Sequence, residues 1–381
     1  MPHHDGDRED EGYVVDTRRR FRSGPGRPSS PSPESSPNRR PERGAPSSRQ
    51  EPGPSAGRRR RLIVIGAAVL LAAWLAFMIW VPFQAWGSAH RVDASPTGAR
   101  PAESKGHDYV LVGSDSREGL TPEQQNALKT GSTKDAGGLR TDSIILVHVP
   151  SGDGKPALIS LPRDSYVPIP GHGHNKINAA YSLGGPRLLV ATIEQVTGVR
   201  IDGYVEIGFG GFASVVDSLG GVDICVKRNM KDAYAGINLK AGCQTLDGPN
   251  ALGYVRARYS DPLGDIGRVA RQREFLGAIM HKAISPSTVL IPWRYYGFAT
   301  SAGAGLTVGQ DVSFRDVTQV LQAMRAVSGG DGLSLTVPVA NQSLSTRVGS
   351  AVKWDSQKAV ALFNAIKNDE PLTVAPAGAG S

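Results

Sequence analysis

Apolar and polar positions divide the chain into stretches of different character. Residues 1–61 carry almost no large apolar side chains and are rich in Pro, Ser, Gly and Arg. Such a segment cannot bury enough surface to offset its chain entropy, which predicts a disordered tail. Leu62 to Val81 is then twenty residues without a charge. A helix rising about 1.5 Å per residue over that length crosses the roughly 30 Å hydrocarbon core of a bilayer. A buried helix of a soluble domain would rarely be apolar on every face for so long. Residues 82–106 turn polar, with Pro96 and Pro101, and read as a linker. From 107 to 370 apolar clusters recur at strand and helix spacing, enough for one large domain with its own core. Residues 371–381 end the chain as a flexible tail.

Inside the domain, Tyr109 to Gly113 (YVLVG) reads as a buried strand ending in a glycine turn. Ser143 to Val149 and Ala157 to Leu161 are two further strands, joined by the turn-rich PSGDGKP and so predicted to form an antiparallel hairpin. Residues 177–198 have a helical pattern, interrupted near Gly184-Gly185-Pro186. Tyr204 to Ile207 reads as a strand, Phe209 to Leu219 as a helix and Val222 to Val226 as a strand. Asp247 to Leu252 is expected as a short helix and Tyr254 to Arg258 as a strand, which would aim Arg256 and Arg258 at one face. A longer helix is expected over Ile266 to Ile284, its stripe including Val269, Phe275, Leu276, Ile279 and Met280. Ser313-Phe-Arg-Asp316 has the form of a capping box opening a helix to about Val327. Leu333 to Val337 and Ser356 to Lys367 supply a last strand and helix. Mixed strands and helices of this kind imply an α/β domain, a three-layer α/β/α sandwich.

Charge and cysteine content fix the setting. The formal net charge is +8, but residues 1–61 hold fourteen Arg against nine acidic residues, so most of the basic excess belongs to the tail. Arg58 to Arg61 abut the apolar run. Positive residues stay on the cytoplasmic side, which puts the N-terminus inside and the domain outside. The competing reading is a cleaved signal peptide ending at Gly87-Ser88-Ala89, but its apolar core would be only about 7–15 residues long. Outside the membrane the two cysteines, Cys225 and Cys243, are expected as a disulfide. With the domain across the membrane from the chromosome, no nucleic-acid partner is expected; the basic tail serves as solvated chain and topology signal, with membrane lipid beside it.

Chemistry gathers in short polar segments at element ends: VGSDSR (112–117), RTDS (140–143), LPRD (161–164), VRAR (255–258) and DIGRVARQ (265–272). The hairpin puts Asp142, just before its first strand, and Arg163-Asp164, just after its second, at the same end. If Tyr109 to Gly113 pairs antiparallel with that first strand, Asp115 joins them. Arginine forks bind phosphate oxygens bidentately and keep their charge at every relevant pH. Arg163, Arg256, Arg258 and Arg268 could therefore clamp a diphosphate, with Gln272 a helical turn beyond Arg268. Asp115 and Asp142 would be misplaced there unless a cation bridges them to the phosphates. Magnesium fits, with manganese as a substitute, because it takes one or two carboxylates, substrate phosphate oxygens and water. Asp164 and Asp115 are the candidates for a general base. His172 and His174 lie in a Gly-rich stretch and read as surface loop.

Taken in order, VGSDSR, RTDSIILV, ISLPRDSYVPIPG, HNKINAAYSLGG, LGGVDICV and LDGPNALGYVRARYSDPLGDIGRVARQ make residues 108–337 resemble the LytR–CpsA–Psr family. The resemblance implies a membrane-anchored phosphotransferase that moves a glycopolymer from a polyprenyl-diphosphate carrier onto peptidoglycan, usually the 6-hydroxyl of N-acetylmuramic acid. It implies an α/β/α fold with an apolar groove for the polyprenyl chain. It also implies Asp115 and Asp142 as magnesium ligands, Arg163, Arg256, Arg258, Arg268 and Gln272 around the diphosphate, and Lys176 near the head group. Two alternatives use the same residues or the same topology: a polyprenyl-diphosphate-glycan pyrophosphatase with water as acceptor, and a membrane-bound regulator of wall or capsule gene expression.

Overall fold

The structure, a computed structural model, describes residues 56–117, 120–130, 141–257 and 264–372, the side chains of 264–270 and of Arg273 excepted. A long helix, α1 (Ala56–Gly87), leads into a short strand, β1 (His90–Val92). Strand β2 (His107–Ser114), helix α2 (Pro122–Ala127) and the hairpin β3 (Thr141–Val149) and β4 (Ala157–Leu161) follow. A second hairpin, β5 (Tyr166–Ile169) and β6 (Gly173–Lys176), precedes α3 (Ile177–Thr197). Next come β7 (Gly203–Ile207), α4 (Phe209–Ser218), β8 (Val222–Val226), β9 (Met230–Asp232), β10 (Ile237–Leu239), β11 (Gly242–Leu246) and α5 (Gly248–Arg256). Helices α6 (Gly264–Ala283), α7 (Pro286–Val289) and α8 (Pro292–Gly305) lead to β12 (Leu306–Gly309). The last elements are α9 (Phe314–Gly329), β13 (Leu333–Thr336), β14 (Val339–Thr346), β15 (Gly349–Trp354) and α10 (Ser356–Asn368).

The central sheet is mixed, in the order β1-β12-β7-β2-β3-β4-β13. Strand β2 runs antiparallel to β3 and parallel to β7, and β3 runs antiparallel to β4. Alternation along β2 splits the core between the two faces. Val110 and Val112 join Ile144, Leu146 and Ile159 against α3 and α10. Tyr109, Val147 and Leu158 pack on Met280 of α6 and on Val320, Ala323 and Met324 of α9. This is the expected three-layer α/β/α arrangement. A separate core lies under β8, β11, α5 and α6, centred on Ile224, Leu246, Tyr254 and Phe275.

Local signals act as the sequence implies. The Ser313 hydroxyl accepts from the Asp316 amide while the Asp316 carboxylate accepts from the Ser313 amide. Helix α3 is kinked where Gly185 takes φ 64°, a conformation open to glycine, just before Pro186. Cys225 and Cys243 face each other across β8 and β11 and are bonded.

Two expectations fail. The stretch 82–106 is not only a linker, because α1 continues to Gly87 and β1 pairs in parallel with β12. Residues 254–256 are not strand; α5 extends through Arg256. Tyr254 and Val255 favour strands by type, yet Asp247 caps the helix, Pro249 opens it, and burial of Tyr254 on Phe275 holds its last turn. Arg256 and Arg258 therefore do not alternate along a strand, and Arg258 lies outside the described residues. The β5–β6 hairpin and the helices α7 and α8 were not anticipated.

Candidate functional site

The sheet register brings the polar segments to one rim. Ser114 pairs with Thr141 across a bulge, so Asp115 and Asp142 lie on either side of that rung. Strand β4 ends beside them at Leu161, and Arg163 and Asp164 follow. The Arg163 Nη1 donates to Asp142 Oδ1 at 2.5 Å, and its Nε donates to Asp164 Oδ2 at 3.4 Å. Lys176, the residue before α3, reaches Asp164 Oδ1 at 3.1 Å. Burial pushes the Asp164 carboxyl up, but the Lys176 hydrogen bond and the Arg163 and Lys176 charges outweigh it and hold it below the usual carboxylate range. A carboxylate so held is a poor general base and a good brace for the two cations.

Arg256 enters from the last turn of α5. Its guanidinium lies 4.5 Å from the centre of the Phe209 ring, and Nη1 donates to the Leu128 carbonyl at 3.4 Å. Burial pushes its pKa down, Asp142, Asp115 and Asp232 pull it up, and Arg117 pushes it down again. Arg117 is buried beside this group. Its Nε and Nη2 donate to the Thr130 carbonyl at 3.1 and 2.7 Å, while Nη1 is buried without a hydrogen-bond partner among the described residues. Arg117 is near enough to act on the Arg256 charge but does not line the cavity at this rim, so Arg163 and Arg256 are the arginines among the described residues that face it. Arg117 closes the VGSDSR segment but was not singled out; its role follows from burial, which the sequence does not display. Arg271 of the ARQ motif turns away instead. It is buried and donates to the Tyr254 and Ala257 carbonyls at 3.2 and 2.5 Å, capping α5 and fixing the turn that carries Arg256.

A cavity of about 800 Å³ opens at this rim. Asp142, Arg163, Asp164, Arg256 and Gln272 line its polar end, and Leu111, Leu158, Phe212, Phe275, Leu276 and Ile279 line the rest. Gln272 donates to the Val255 carbonyl at 3.4 Å, tying α6 to α5. Lys176 does not line the cavity and acts through Asp164. Of Arg268, only its place on α6, one turn before Gln272, is described. His172 and His174 are exposed on the β5–β6 hairpin, with His174 packed on Tyr166 at 5.6 Å. Among the described residues no three His, Cys, Asp or Glu side chains cluster as a metal site.

The LytR_cpsA_psr family model matches residues 88–367. The chain belongs to the LytR–CpsA–Psr family. Among its LytR–CpsA–Psr relatives is the probable cell wall biosynthesis protein LcpB of Corynebacterium glutamicum, 43% identical over 318 residues, covering 82% of this chain and 74% of LcpB. The polyisoprenyl-teichoic acid–peptidoglycan teichoic acid transferase TagU of Enterococcus faecalis is 35% identical over 191 residues, 50% of this chain and 61% of TagU. Among solved structures, TagT bound to LIIa-WTA superposes with a TM-score of 0.52 at 25% identity, over 72% of this chain and 98% of that one. The LytR–CpsA–Psr match begins at residue 88, which agrees with β1 being part of the sheet.

Proposed function

We propose that this LytR–CpsA–Psr protein is an enzyme that transfers a phosphate-linked glycopolymer from a polyprenyl-diphosphate carrier to peptidoglycan. The observation that carries the reading is the two-ended cavity. Its charged rim sets Arg163 and Arg256, which suit phosphate oxygens, beside Asp142, Asp164 and Asp232, which suit a bridging cation. Its apolar wall suits a prenyl chain, so a diphosphate with its cation and a prenyl tail fits both ends. The names of TagU and of TagT bound to LIIa-WTA support the same class of substrate. Among the described residues one helix, α1, is long and apolar enough to cross a membrane, which supports a membrane anchor, with the Arg58–Arg61 run favouring a cytoplasmic N-terminus and an outer domain.

The reaction is an in-line displacement at the phosphorus nearer the sugar. An acceptor hydroxyl, such as the 6-hydroxyl of N-acetylmuramic acid, forms the new P–O bond and gives up its proton to water or to the departing phosphate. The bond from that phosphorus to the bridging oxygen breaks, and polyprenyl phosphate leaves. Arg163 and Arg256 stabilise charge on the phosphate oxygens, and preorganised donors of this kind act strongly where water is excluded. Asp115 and Asp142, with phosphate oxygens and water, would complete a magnesium shell. The small carboxylate set suits magnesium, which takes one or two carboxylates and keeps waters. When bound, magnesium would neutralise phosphate charge. Asp142 is held by Arg163; with a cation bound, Asp142 would help hold it and Arg163 would be freed to bind a phosphate oxygen. Asp164 is assigned to bracing Arg163 and Lys176.

The test is product analysis. The protein is given a radiolabelled lipid-diphosphate glycan and peptidoglycan, with magnesium and after chelation. Label covalently bound to peptidoglycan, lost on chelation and regained with magnesium, is the expected result. Free sugar phosphate formed equally well without peptidoglycan would mean hydrolysis and would overturn the transferase reading.

A further inference from the structure

Outside the candidate site and the α1 span, four exposed large apolar side chains among the described residues fall together in the segment 284–296. Ile284, Leu290, Trp293 and Tyr296 are 46, 64, 74 and 44% exposed. This is the short hairpin of α7 and α8, and it is attached to α1 by aromatic contacts. Phe77 meets Tyr295 edge-on at 6.3 Å, Trp80 stacks on Tyr296 at 6.4 Å, and the Tyr295 hydroxyl donates to the Met78 carbonyl at 3.2 Å. Farther along, Gly303 of α8 is pressed against the backbone of Ala85, leaving no room for a side chain. From Ile63 onward the chain is one compact unit, so these contacts belong to the domain itself.

We propose that the α7–α8 hairpin is a second membrane contact, seated in the outer leaflet beside α1. The proposal rests on α1 crossing the bilayer with the domain outside. Depth is then set by α1. Phe77 to Val81 form the last turn of the apolar run Leu62 to Val81, which gives way to Pro82 and Gln84, within about 6 Å of its outer end at 1.5 Å per residue. Residues stacked on Phe77 and Trp80 share that level, so Tyr295 and Tyr296 sit at the lipid–water boundary, where tyrosine and tryptophan are favoured. Leu290 and Trp293 belong to the same hairpin and have no protein cover. Arg294 lies next to Trp293, where a long cationic side chain can reach head groups while its stem stays in lipid. Neither a soluble partner nor a second copy is needed to cover this patch, because the surface it continues is already the lipid-facing helix.

The placement also orients the cavity. Helix α6 runs from Gln272 at the polar rim, past Leu276 and Ile279 in the apolar wall, to Ala283, where the hairpin begins. The separation from Gln272 to Ala283 is about 16 Å at the helical rise. The apolar wall therefore lies between the charged rim and the lipid, so a prenyl chain can pass from leaflet to cavity without its diphosphate leaving the arginines.

The experiment uses the full chain in vesicles of phosphatidylcholine and phosphatidylglycerol. Cys225 and Cys243 are bonded to each other, so one introduced cysteine carries a nitroxide label at Trp293→Cys, Leu290→Cys, Val360→Cys or Leu70→Cys. Collision with oxygen and with a water-soluble nickel chelate is measured for each. Labels at 290 and 293 are expected to give an oxygen-to-nickel ratio several-fold above that of Val360→Cys, an exposed site on α10, and to approach Leu70→Cys in α1. A lipid signal at Leu70 with a water signal at 290 and 293 overturns the hairpin contact and leaves the anchor intact. Low access to both probes at 290 and 293 means protein covers the patch, and also overturns it. A water signal at Leu70 overturns the membrane-spanning reading of α1 and this inference with it.

Discussion

Arg256 is the residue on which the site's electrostatics turn, and replacing it with alanine is the sharpest perturbation. Among the described residues its guanidinium makes one long bond, to the Leu128 carbonyl, and lies on the face of Phe209. Arg117 repels it nearby. Its removal therefore costs the fold little, and the melting temperature is expected to stay within a few degrees, a change of about 1 kcal/mol or less in a domain of this size. With a diphosphate bound the balance reverses. A hydrogen bond to a charged group contributes about 1.5–3 kcal/mol, which is about 10- to 150-fold in affinity at 1.4 kcal/mol per tenfold. If the transferring phosphoryl group gains charge against this guanidinium, kcat falls as well, by about 10²–10³ as for a lost oxyanion donor. Arg256→Lys should fall between, since it keeps the charge and loses the fork and the ring contact. The assay is transfer of labelled glycan from a defined lipid diphosphate, with binding of a non-transferable analogue measured in parallel. A kcat/KM for Arg256→Ala within about threefold of the parent, in a folded protein, would refute the reasoning.

Three further outcomes are expected. Ile279→Trp fills the apolar wall, so KM should rise for long-prenyl substrates and stay near the parent value for short-chain analogues; equal effects on both would separate the cavity from the lipid. The disulfide joins residues 18 apart, and in the chain-entropy model the Cys225→Ser/Cys243→Ser protein loses about 3 kcal/mol, seen as a lower melting temperature with transfer retained at low temperature. His148 is buried, which pushes its pKa down, but the Asp108 hydrogen bond and charge and the Asp369 charge outweigh burial and leave it raised. Its stabilising charge is complete below the unfolded value of about 6.5 and is lost as pH rises through the folded value. Denaturant titrations should therefore show stability declining above that pH in the parent and a flatter profile in His148→Asn.

Much of the site was legible because it is local. The PSGDGKP turn requires β3 and β4 to run antiparallel, and that alone carries Asp142 to Arg163, whose groups meet at 2.5 Å. The β2–β3 pairing then adds Asp115 to the same rim. Arg256 lines the cavity but sits on a different element from the one its sequence suggests, since Tyr254 and Val255 carry strand propensity and only packing on Phe275 decides for helix. Arg117 and Arg271 show the opposite limit. Both are arginines in charged motifs, both are buried, and they differ only in what surrounds them. One keeps a buried Nη1 with no hydrogen-bond partner among the described residues, and the other donates to carbonyls at the end of α5.

By itself, the order of residues determined a charge-free span of membrane length, an α/β domain after it, a cysteine pair, and the motifs that mark the LytR–CpsA–Psr family. These depend on composition and on periodicity over a few turns or one hairpin, where near neighbours along the chain are also neighbours in space. Tertiary structure alone decided that β1 belongs to the sheet, that α5 and α6 close an apolar cavity beneath the charged rim, and that α8 lies along α1. Those contacts join residues separated by more than a hundred positions, and burial at such a distance is set by how whole elements pack, which no local pattern encodes.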